Sequence, residues 1–462
     1  MGNDNSSEIK EREEVVMNDD EMSSLLVSSF CEKERIPMNN NRRRMDVHFV
    51  FLIHGWLGTD CSLSYVESTM KQQVEKCQKQ SNVDDVVFHK VKCNLGQTHD
   101  GIVAGAKRLN HEIYTFVQQY YNNNIPKSNI TRKASVSLWG HSLGGLYARC
   151  AMATFPWHIP ITTTTTVELI PNVFVTSVTP HLGCSSHTYI PIPTCLKRMI
   201  GYLMRQTGQD LFDPDGILYT MSTSYHYLQP LSKFQKRIAY TNAFQTDFQV
   251  PTASAAFLSP SSTYLHQVIL PTTIQQHSTT TTTNNNNRRM DTIVAIVQTP
   301  PNHSILQNGY KDHNKVTTMS VMLDALGWEK VFVDLRPFIP TLSIMNPSRN
   351  LTTLQTTNNN DTTTTATTTT TCKREIWNDF FQQRSSVSKK EKKTWIVSQE
   401  IMSYLCQSQN YHIPLGHFVI IANTRNKIVR AISSGGRPTV EYISAQIIND
   451  ILSLKEISDD EI

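Results

Sequence analysis

Short apolar runs alternate with stretches of helical spacing along most of the chain. The run at 47–53 is mostly apolar, as expected of an interior strand that is covered on both faces. The stretch that begins at Ile102 carries apolar residues at helical spacing, among them Leu109, Ile113 and Phe116. Further strands are predicted at 86–91, 134–139, 173–178, 237–242 and 330–335, with 292–297 as an additional candidate. Strands that alternate with helices predict an α/β fold built on a mostly parallel sheet.

Polar tracts interrupt this pattern and define the expected domain. Threonine- and asparagine-rich insertions lie near 162–166, 278–289 and 349–372, and such tracts cannot bury apolar surface. Long surface insertions are tolerated because the entropy of loop closure grows only logarithmically with length. Residues 1–45 are charge-dense without periodicity and are expected to be a disordered tail, and 456–462 form an acidic tail. One folded domain is therefore expected over 46–455, with its last segment, 439–452, forming a strand end or a helix.

Composition narrows the compartment and the class of partner. The 43 lysines and arginines nearly balance the 39 acidic residues, which gives no basis for a nucleic-acid partner. The nine cysteines are odd in number and never spaced C-x-x-C, which argues against a disulfide framework and a zinc site. No run reaches the ~18–20 apolar residues of a membrane span, and the N-terminus lacks an apolar signal core. We expect a cytoplasmic protein without a metal or other cofactor.

The segment Gly140-His141-Ser142-Leu143-Gly144 carries the clearest chemistry. It follows the predicted strand 134–139 and precedes a stretch of helical composition, which is the context that a G-x-S-x-G nucleophile elbow requires. The serine of such an elbow has a strained backbone, and side chains at the flanking glycines would collide with the neighbouring elements. Ser142 is the predicted nucleophile.

A serine nucleophile needs a base, an orienting acid and an oxyanion hole. Asp247 follows the predicted strand 237–242 and precedes Pro251, so it is the preferred acid. The histidine should follow strand 330–335 and the insertion, which leaves His417, at the start of an apolar run, and His412, in a more polar segment. His417 is preferred, with a buried core histidine as its alternative. Weaker acid candidates are Asp210, Asp213, Asp215 and Asp334.

The oxyanion hole is expected to use two backbone N–H groups. One belongs to Leu143, directly after the nucleophile, and the other lies in the loop after His54-Gly55, with Trp56 as the preferred donor.

Several ordered motifs together resemble the eukaryotic serine esterase/lipase family of α/β-hydrolases, which includes lipid-droplet-associated phospholipases. The matching segments are 48–58, 98–109, the elbow G-H-S-L-G-G, the turn T-P-H-L-G at 179–183, D-x-x-V-P at 247–251 and W-E-K-V at 328–331. Two departures stand out. The segment after Pro251 is shorter than in the family, and a second alignment places Arg425 where the family has its histidine, which would break the triad. His181 in the turn is expected to be structural or pocket-lining.

The resemblance implies an α/β-hydrolase fold and hydrolysis of carboxyl esters in phospholipids or acylglycerols at a membrane or lipid-droplet surface. The segment 195–205 supports this independently, because its apolar helical face is edged by Lys197, Arg198 and Arg205; packing on the core would produce the same pattern. Met1-Gly2-Asn3-Asp4-Asn5-Ser6 fits an N-myristoylation motif at Gly2. Two hypotheses remain: a membrane-associated serine lipase or phospholipase, and a catalytically inactive hydrolase-fold protein that docks on membranes or partners.

Overall fold

In a computed structural model, the apolar runs that predict strands lie at the centre of the protein. The structure describes residues 47–80, 85–124, 132–184, 201–213, 216–247, 249–269, 292–340, 394–406 and 415–453. All of them lie in one compact unit. The predicted tails and the insertions near 278–289 and 349–372 lie outside these residues.

Ten strands form a single sheet in the described part of the chain. They are β1 (His48–Ile53), β2 (Val86–Lys90), β3 (Arg132–His141), β4 (His158–Pro160), β5 (Thr166–Ser177), β6 (Lys236–Asn242), β7 (Leu265–Ile269), β8 (Ile293–Gln298), β9 (Glu329–Val333) and β10 (Thr394–Val397). Their order is β10-β7-β8-β9-β6-β5-β3-β1-β2, with β4 paired to β5. Strands β2, β1, β3, β5, β6 and β9 are parallel neighbours. The mostly parallel sheet predicted from the apolar runs is confirmed.

Helices cover both faces of the sheet. They are α1 (Ser64–Gln80), α2 (Ile102–Asn124), α3 (Leu143–Ala151), α4 (Arg205–Phe212), α5 (Ile217–Thr223), α6 (Tyr225–Ser232), α7 (Thr252–Ala255), α8 (His303–Asn308), α9 (Lys315–Asp324), α10 (Ser398–Leu405), α11 (Gly416–Val419), α12 (Lys427–Ser433) and α13 (Arg437–Leu452). One core layer packs α2, α3 and α9 against the sheet, and the other packs α1 and α13. Because helices cover both faces of the sheet, the sequence of an interior strand is apolar at nearly every position.

The structure corrects one element assignment and decides between the two alternatives for another. The tract 162–166 is not wholly an insertion between elements: residues 162–165 form the turn between antiparallel strands β4 and β5, and Thr166 begins β5. β5 therefore starts seven residues before the predicted strand at 173. The C-terminal segment is a helix, α13, and not a strand end. No helix among the described residues is long and apolar enough to cross a membrane.

Backbone strain concentrates where the parallel strands end. Non-glycine residues with positive φ follow β1 (Leu57, 51°), β3 (Ser142, 55°), β5 (Val178, 43°) and β6 (Phe244, 60°). Such conformations cost about 1–3 kcal/mol each and persist only where the surroundings impose them. The carboxyl edge of the sheet is therefore the place to look for chemistry.

Candidate active site

Ser142 lies on a sharp turn between β3 and α3. Its backbone has φ 55° and ψ −126°, outside the regions that non-glycine residues favour. The flanking glycines allow this turn, because a Cβ at Gly144 would overlap the carbonyl oxygens of Ile53 and His54, and one at Gly140 would overlap the backbone of Gly145. The turn holds the Ser142 side chain at the carboxyl edge of the sheet and at the N-terminus of α3.

The loop after β1 approaches the serine closely. A Cβ built on Gly55 would lie 2.7 Å from Ser142 Cβ and 3.1 Å from Ser142 Oγ. Only a glycine permits this approach, so the loop that carries the predicted oxyanion donor Trp56 lies directly against the predicted nucleophile.

The carboxylate of Asp247 is buried and fully hydrogen-bonded. Its Oδ1 accepts from the backbone N–H groups of Gln249, at 2.8 Å, and Val250, at 3.0 Å. Its Oδ2 accepts from Asn242 Nδ2, at 3.2 Å, and from His417 Nδ1, at 2.9 Å. Four donors fix the two oxygens of this carboxylate and hold it immobile.

His417 lies on α11, which begins at Gly416 beside the loop of Asp247. The Gly416 N–H donates to the Thr246 carbonyl at 2.9 Å, and Leu415 forms a bridge with Asp247. The bond between His417 Nδ1 and Asp247 places the ring proton on Nδ1 and leaves Nε2 to accept one. The structure thus places His417 in a short helix and in contact with Asp247, although 170 residues separate them.

His141 packs beside His417 and completes the surroundings of this pair. The two ring centroids are 4.9 Å apart, and Ser177 Oγ lies 3.2 Å from His141 Nδ1. Burial, with the neighbouring His417 and His54 rings, holds the pKa of His141 well below its usual range. Burial also lowers the pKa of His54. Both rings are therefore neutral at physiological pH and place no cation next to His417.

The two predicted oxyanion donors lie on opposite sides of the elbow. Leu143 is the first residue of α3, and the first N–H groups of a helix have no partner within it. In the loop after β1, the Leu57 N–H donates to Thr98 Oγ1 at 3.1 Å, and the Leu57 carbonyl accepts from Arg425 Nη1 at 2.9 Å. These bonds fix the loop just after Trp56, so the Trp56 N–H is the preferred donor there.

Comparison with known families agrees with the order of these elements. The family described as "Putative serine esterase (DUF676)" matches residues 43–261. The match covers 219 of the 462 residues, just under half of the chain. The resemblance drawn from the sequence motifs is confirmed, and the parallel sheet with its elbow is an α/β-hydrolase fold.

Similarity to solved structures is remote. A phospholipase PlaB from Legionella pneumophila in complex with thio-NAD shares 10% identity at a TM-score of 0.27; the match covers 42% of this chain and 38% of that one. The putative cell surface hydrolase from Lactobacillus plantarum shares 13% sequence identity at a TM-score of 0.26. The match covers 46% of this chain and 76% of that one. A gene product of Listeria innocua shares 15% sequence identity at a TM-score of 0.26. The match covers 46% of this chain and 77% of that one. This chain thus spans well under half of the Legionella phospholipase. No curated protein gives a significant match.

The remaining candidate residues from the sequence analysis make contacts elsewhere in the fold or lie outside the described residues. Asp210 Oδ2 accepts the first N–H of α2 from Ile102, Asp213 follows α4, and Asp334 pairs with Arg336, so none of these three replaces Asp247 beside His417. Asp215, His412 and Gly2 lie outside the described residues. His181 is fully buried between Arg149, 3.0 Å from its Nδ1, and Thr176 Oγ1, 3.1 Å from its Nε2. It is structural and does not line the site.

Three residues have roles in the site that the sequence analysis did not assign to them. Asn242 is the last residue of β6 and binds Asp247 by its side chain, and Gly55 touches Ser142. Arg425, which an alternative alignment puts at the histidine position, instead binds the loop of Leu57. An Asn ending the strand before an acid is a usable local signal, whereas the contact of Arg425 spans 368 residues and has none.

Proposed function

We propose that the protein hydrolyses carboxyl esters of lipids through a Ser142–His417–Asp247 triad and an acyl-enzyme intermediate. The observation that carries the proposal is the 2.9 Å bond between His417 and a fully hydrogen-bonded Asp247, with the His417 ring 4.9 Å from that of His141, which directly precedes the serine on its strained elbow. The motif resemblance to esterases and lipases supplies the substrate class. Phospholipids and acylglycerols are the proposed substrates.

Each residue has one task in the reaction. Ser142 Oγ attacks the ester carbonyl carbon while His417 Nε2 takes the hydroxyl proton, and Asp247 stabilises the resulting imidazolium. The backbone N–H groups of Leu143 and Trp56 stabilise the oxyanion. His417 then returns the proton to the departing alcohol, which leaves the acyl group on Ser142.

Water completes the cycle. His417 removes a proton from a water molecule, the hydroxide attacks the acyl carbonyl, and the proton returns to Ser142 Oγ as the carboxylic acid leaves. The neutral state of His141 matters here, because a second imidazolium at 4.9 Å would oppose protonation of His417.

The proposed site of action is a membrane or lipid-droplet surface on the cytoplasmic side. A myristoyl group at Gly2 would add weak affinity, about 10⁴ M⁻¹, so a second attachment is needed. The argument for one such attachment follows in the next subsection.

A fluorophosphonate probe tests the triad directly. We expect the wild type to be labelled, and Ser142→Ala and His417→Ala to be unlabelled although folded. The hydrolysis of phospholipid and acylglycerol substrates is measured next, with the same proteins. Absence of labelling in the wild type would reject the enzyme in favour of the inactive docking protein, and labelling that persists in His417→Ala would move the base to His412.

A further inference from the structure

Three large apolar side chains are exposed near the mouth of the site. Leu57 is 49% exposed on the loop after β1, and Ile428 and Ile432 are 73% and 41% exposed on α12. The two isoleucines are four residues apart, so they lie on the same side of the helix. We call Leu57, Ile428 and Ile432 the isoleucine patch. Exposed apolar groups clustered at one place mark an interaction surface.

The patch lies within a few residues of the nucleophile. Gly55 is in contact with Ser142, and Leu57 follows two residues later, a span of at most ~7 Å along the chain. Arg425 binds the Leu57 carbonyl at 2.9 Å, and Thr424 Oγ1 donates to the Cys61 carbonyl at 2.6 Å. These two bonds fix the chain just before α12 to the oxyanion loop.

The other end of α12 is also tied to the site. The turn after it, Ser434–Gly436, packs so closely on Val419 that a Cβ at Gly436 would overlap the Val419 carbonyl oxygen. Val419 belongs to α11, the helix of His417. Helix α12 is thus attached at both ends to the elements that carry the proposed chemistry.

The charge on the segment that carries the two isoleucines has one sign. Residues 423–436 contain Arg425, Lys427 and Arg430 and no carboxylate. Lys427 and Arg430 are exposed on the same short helix as the isoleucines. Apolar side chains bordered by cations are the composition that binds at the interface of an anionic membrane.

We propose that the isoleucine patch, with Lys427 and Arg430, docks the protein on an anionic phospholipid surface. The isoleucines insert at the boundary between headgroups and acyl chains, and the two cations contact the phosphates. This geometry turns the mouth of the site toward the lipid, so an acyl ester reaches Ser142 without crossing water. The purpose of the docking rests on the proposed function, whereas the binding to lipid itself requires no catalysis.

A second exposed pair lies on the same rim. Tyr202 is 80% exposed and Leu203 67%. The residues around Gly201 pack against Gly208 of α4, and Thr207 Oγ1 of that helix donates to the Thr98 carbonyl at 2.8 Å. Thr98 is also the residue that accepts the Leu57 N–H. We expect this pair to contact the same lipid surface.

Vesicle co-sedimentation of the full chain, produced without acylation of Gly2, tests the proposal. The vesicles are phosphatidylcholine alone and phosphatidylcholine with phosphatidylserine, and every protein carries Ser142→Ala so that no lipid is consumed. The test variant is Ile428→Ser with Ile432→Ser. The matched control is Leu265→Ser with Ile269→Ser, which removes two exposed aliphatic side chains from strand β7. A charge variant combines Lys427→Gln with Arg430→Gln.

We expect the isoleucine variant to bind anionic vesicles about tenfold or more weakly, and the β7 control to bind like the parent. The charge variant should lose about tenfold in binding to anionic vesicles and should no longer distinguish them from neutral ones. Thermal unfolding of all variants confirms that they are folded.

Other outcomes overturn the docking. A parent that ignores both vesicle types, or an isoleucine variant that binds like the control, rejects it. Dissociation of an oligomer by the isoleucine variant, without vesicle binding by the parent, would assign the patch to a second copy of the chain. Probe labelling of the Ser142-containing proteins is measured separately, so an unlabelled but vesicle-bound wild type refutes the enzyme and retains the docking.

Discussion

Replacing Asp247 by asparagine isolates the role of its carboxylate. Each oxygen of Asp247 accepts two donors, at 2.8 and 3.0 Å on one side and at 2.9 and 3.2 Å on the other. Asparagine offers one oxygen and one NH₂ group in the same shape. Whichever way the amide is turned, its NH₂ faces two donors. The oxygen is expected to face the fixed backbone N–H groups of Gln249 and Val250, which leaves the NH₂ against Asn242 and His417.

The consequence for His417 sets the magnitude. A donor opposite Nδ1 forces the ring proton onto Nε2, the nitrogen that must accept the Ser142 proton. Loss of the correct tautomer in a triad of this kind costs about 10⁴ in kcat, or about 5.5 kcal/mol of transition-state stabilisation. The lost charge-assisted bond to His417 should also lower the free energy of unfolding by about 1.5–3 kcal/mol.

The assay is hydrolysis of a soluble short-chain ester together with the rate of fluorophosphonate labelling, and urea unfolding reports stability. Asn242→Ala is the matched control, because it removes one donor to the same oxygen and leaves the tautomer of His417 unchanged; it should cost less than tenfold in kcat. A folded Asp247→Asn protein with more than a tenth of the wild-type kcat would refute this role for the carboxylate.

Three further changes probe the surroundings. Arg425→Ala frees the Leu57 carbonyl and should lower kcat about tenfold with little change in KM for a soluble ester, since the loop then no longer holds its oxyanion donor; Arg425→Lys should recover part of the loss. Gly55→Ala places a methyl group 3.1 Å from Ser142 Oγ and should slow labelling at least about tenfold while the protein remains folded by circular dichroism. Burial alone would raise the pKa of Glu112, but its hydrogen bonds to His89, Lys92 and Cys93 lower it to about 2. Its contribution to stability is present above the unfolded pKa and lost as the pH falls toward 2, so Glu112→Gln should cost about 1–2 kcal/mol at pH 7, after allowance for solvent screening, and much less at pH 3 by urea unfolding.

Local pattern accounts for the parts of the fold that the sequence predicts. Apart from the half-buried edge strand β2, the parallel strands are largely buried on both faces, so their composition alone marks them. Strand β7, Leu265–Ile269, alternates more exposed and buried positions over only five residues, and the edge strand β10 is one residue shorter. So short and half-exposed a strand takes its identity from its antiparallel partner, which the sequence does not reveal. The threonine-rich start of β5 is defined in the same way by β4.

The candidate site divides along the same line. Ser142 and Asp247 each follow a predicted strand directly, so sequence order places both at the carboxyl edge of the sheet. His417 comes after β9 by way of β10 and α10, and what positions it is the bridge between Leu415 and Asp247. The contact between His417 and Asp247, made across 170 residues, depends on the path by which the chain returns to the sheet. The sequence could therefore narrow the histidine to two candidates but could not choose between them by geometry.

The T-P-H-L-G turn shows how a family motif near the nucleophile can serve the scaffold. Arg149, on α3, is buried without a carboxylate partner among the described residues; it donates to His181 Nδ1 at 3.0 Å and to Ser222 Oγ at 2.9 Å. Burial lowers the pKa of Arg149 to about 9, so the side chain is still mostly charged at pH 7. A buried cation is tolerated only where polar groups solvate it, and His181 does so because burial, followed by the charge of Arg149, keeps its ring neutral. The turn therefore anchors the helix whose first residue, Leu143, is the proposed oxyanion donor, and its histidine accompanies the elbow for that reason.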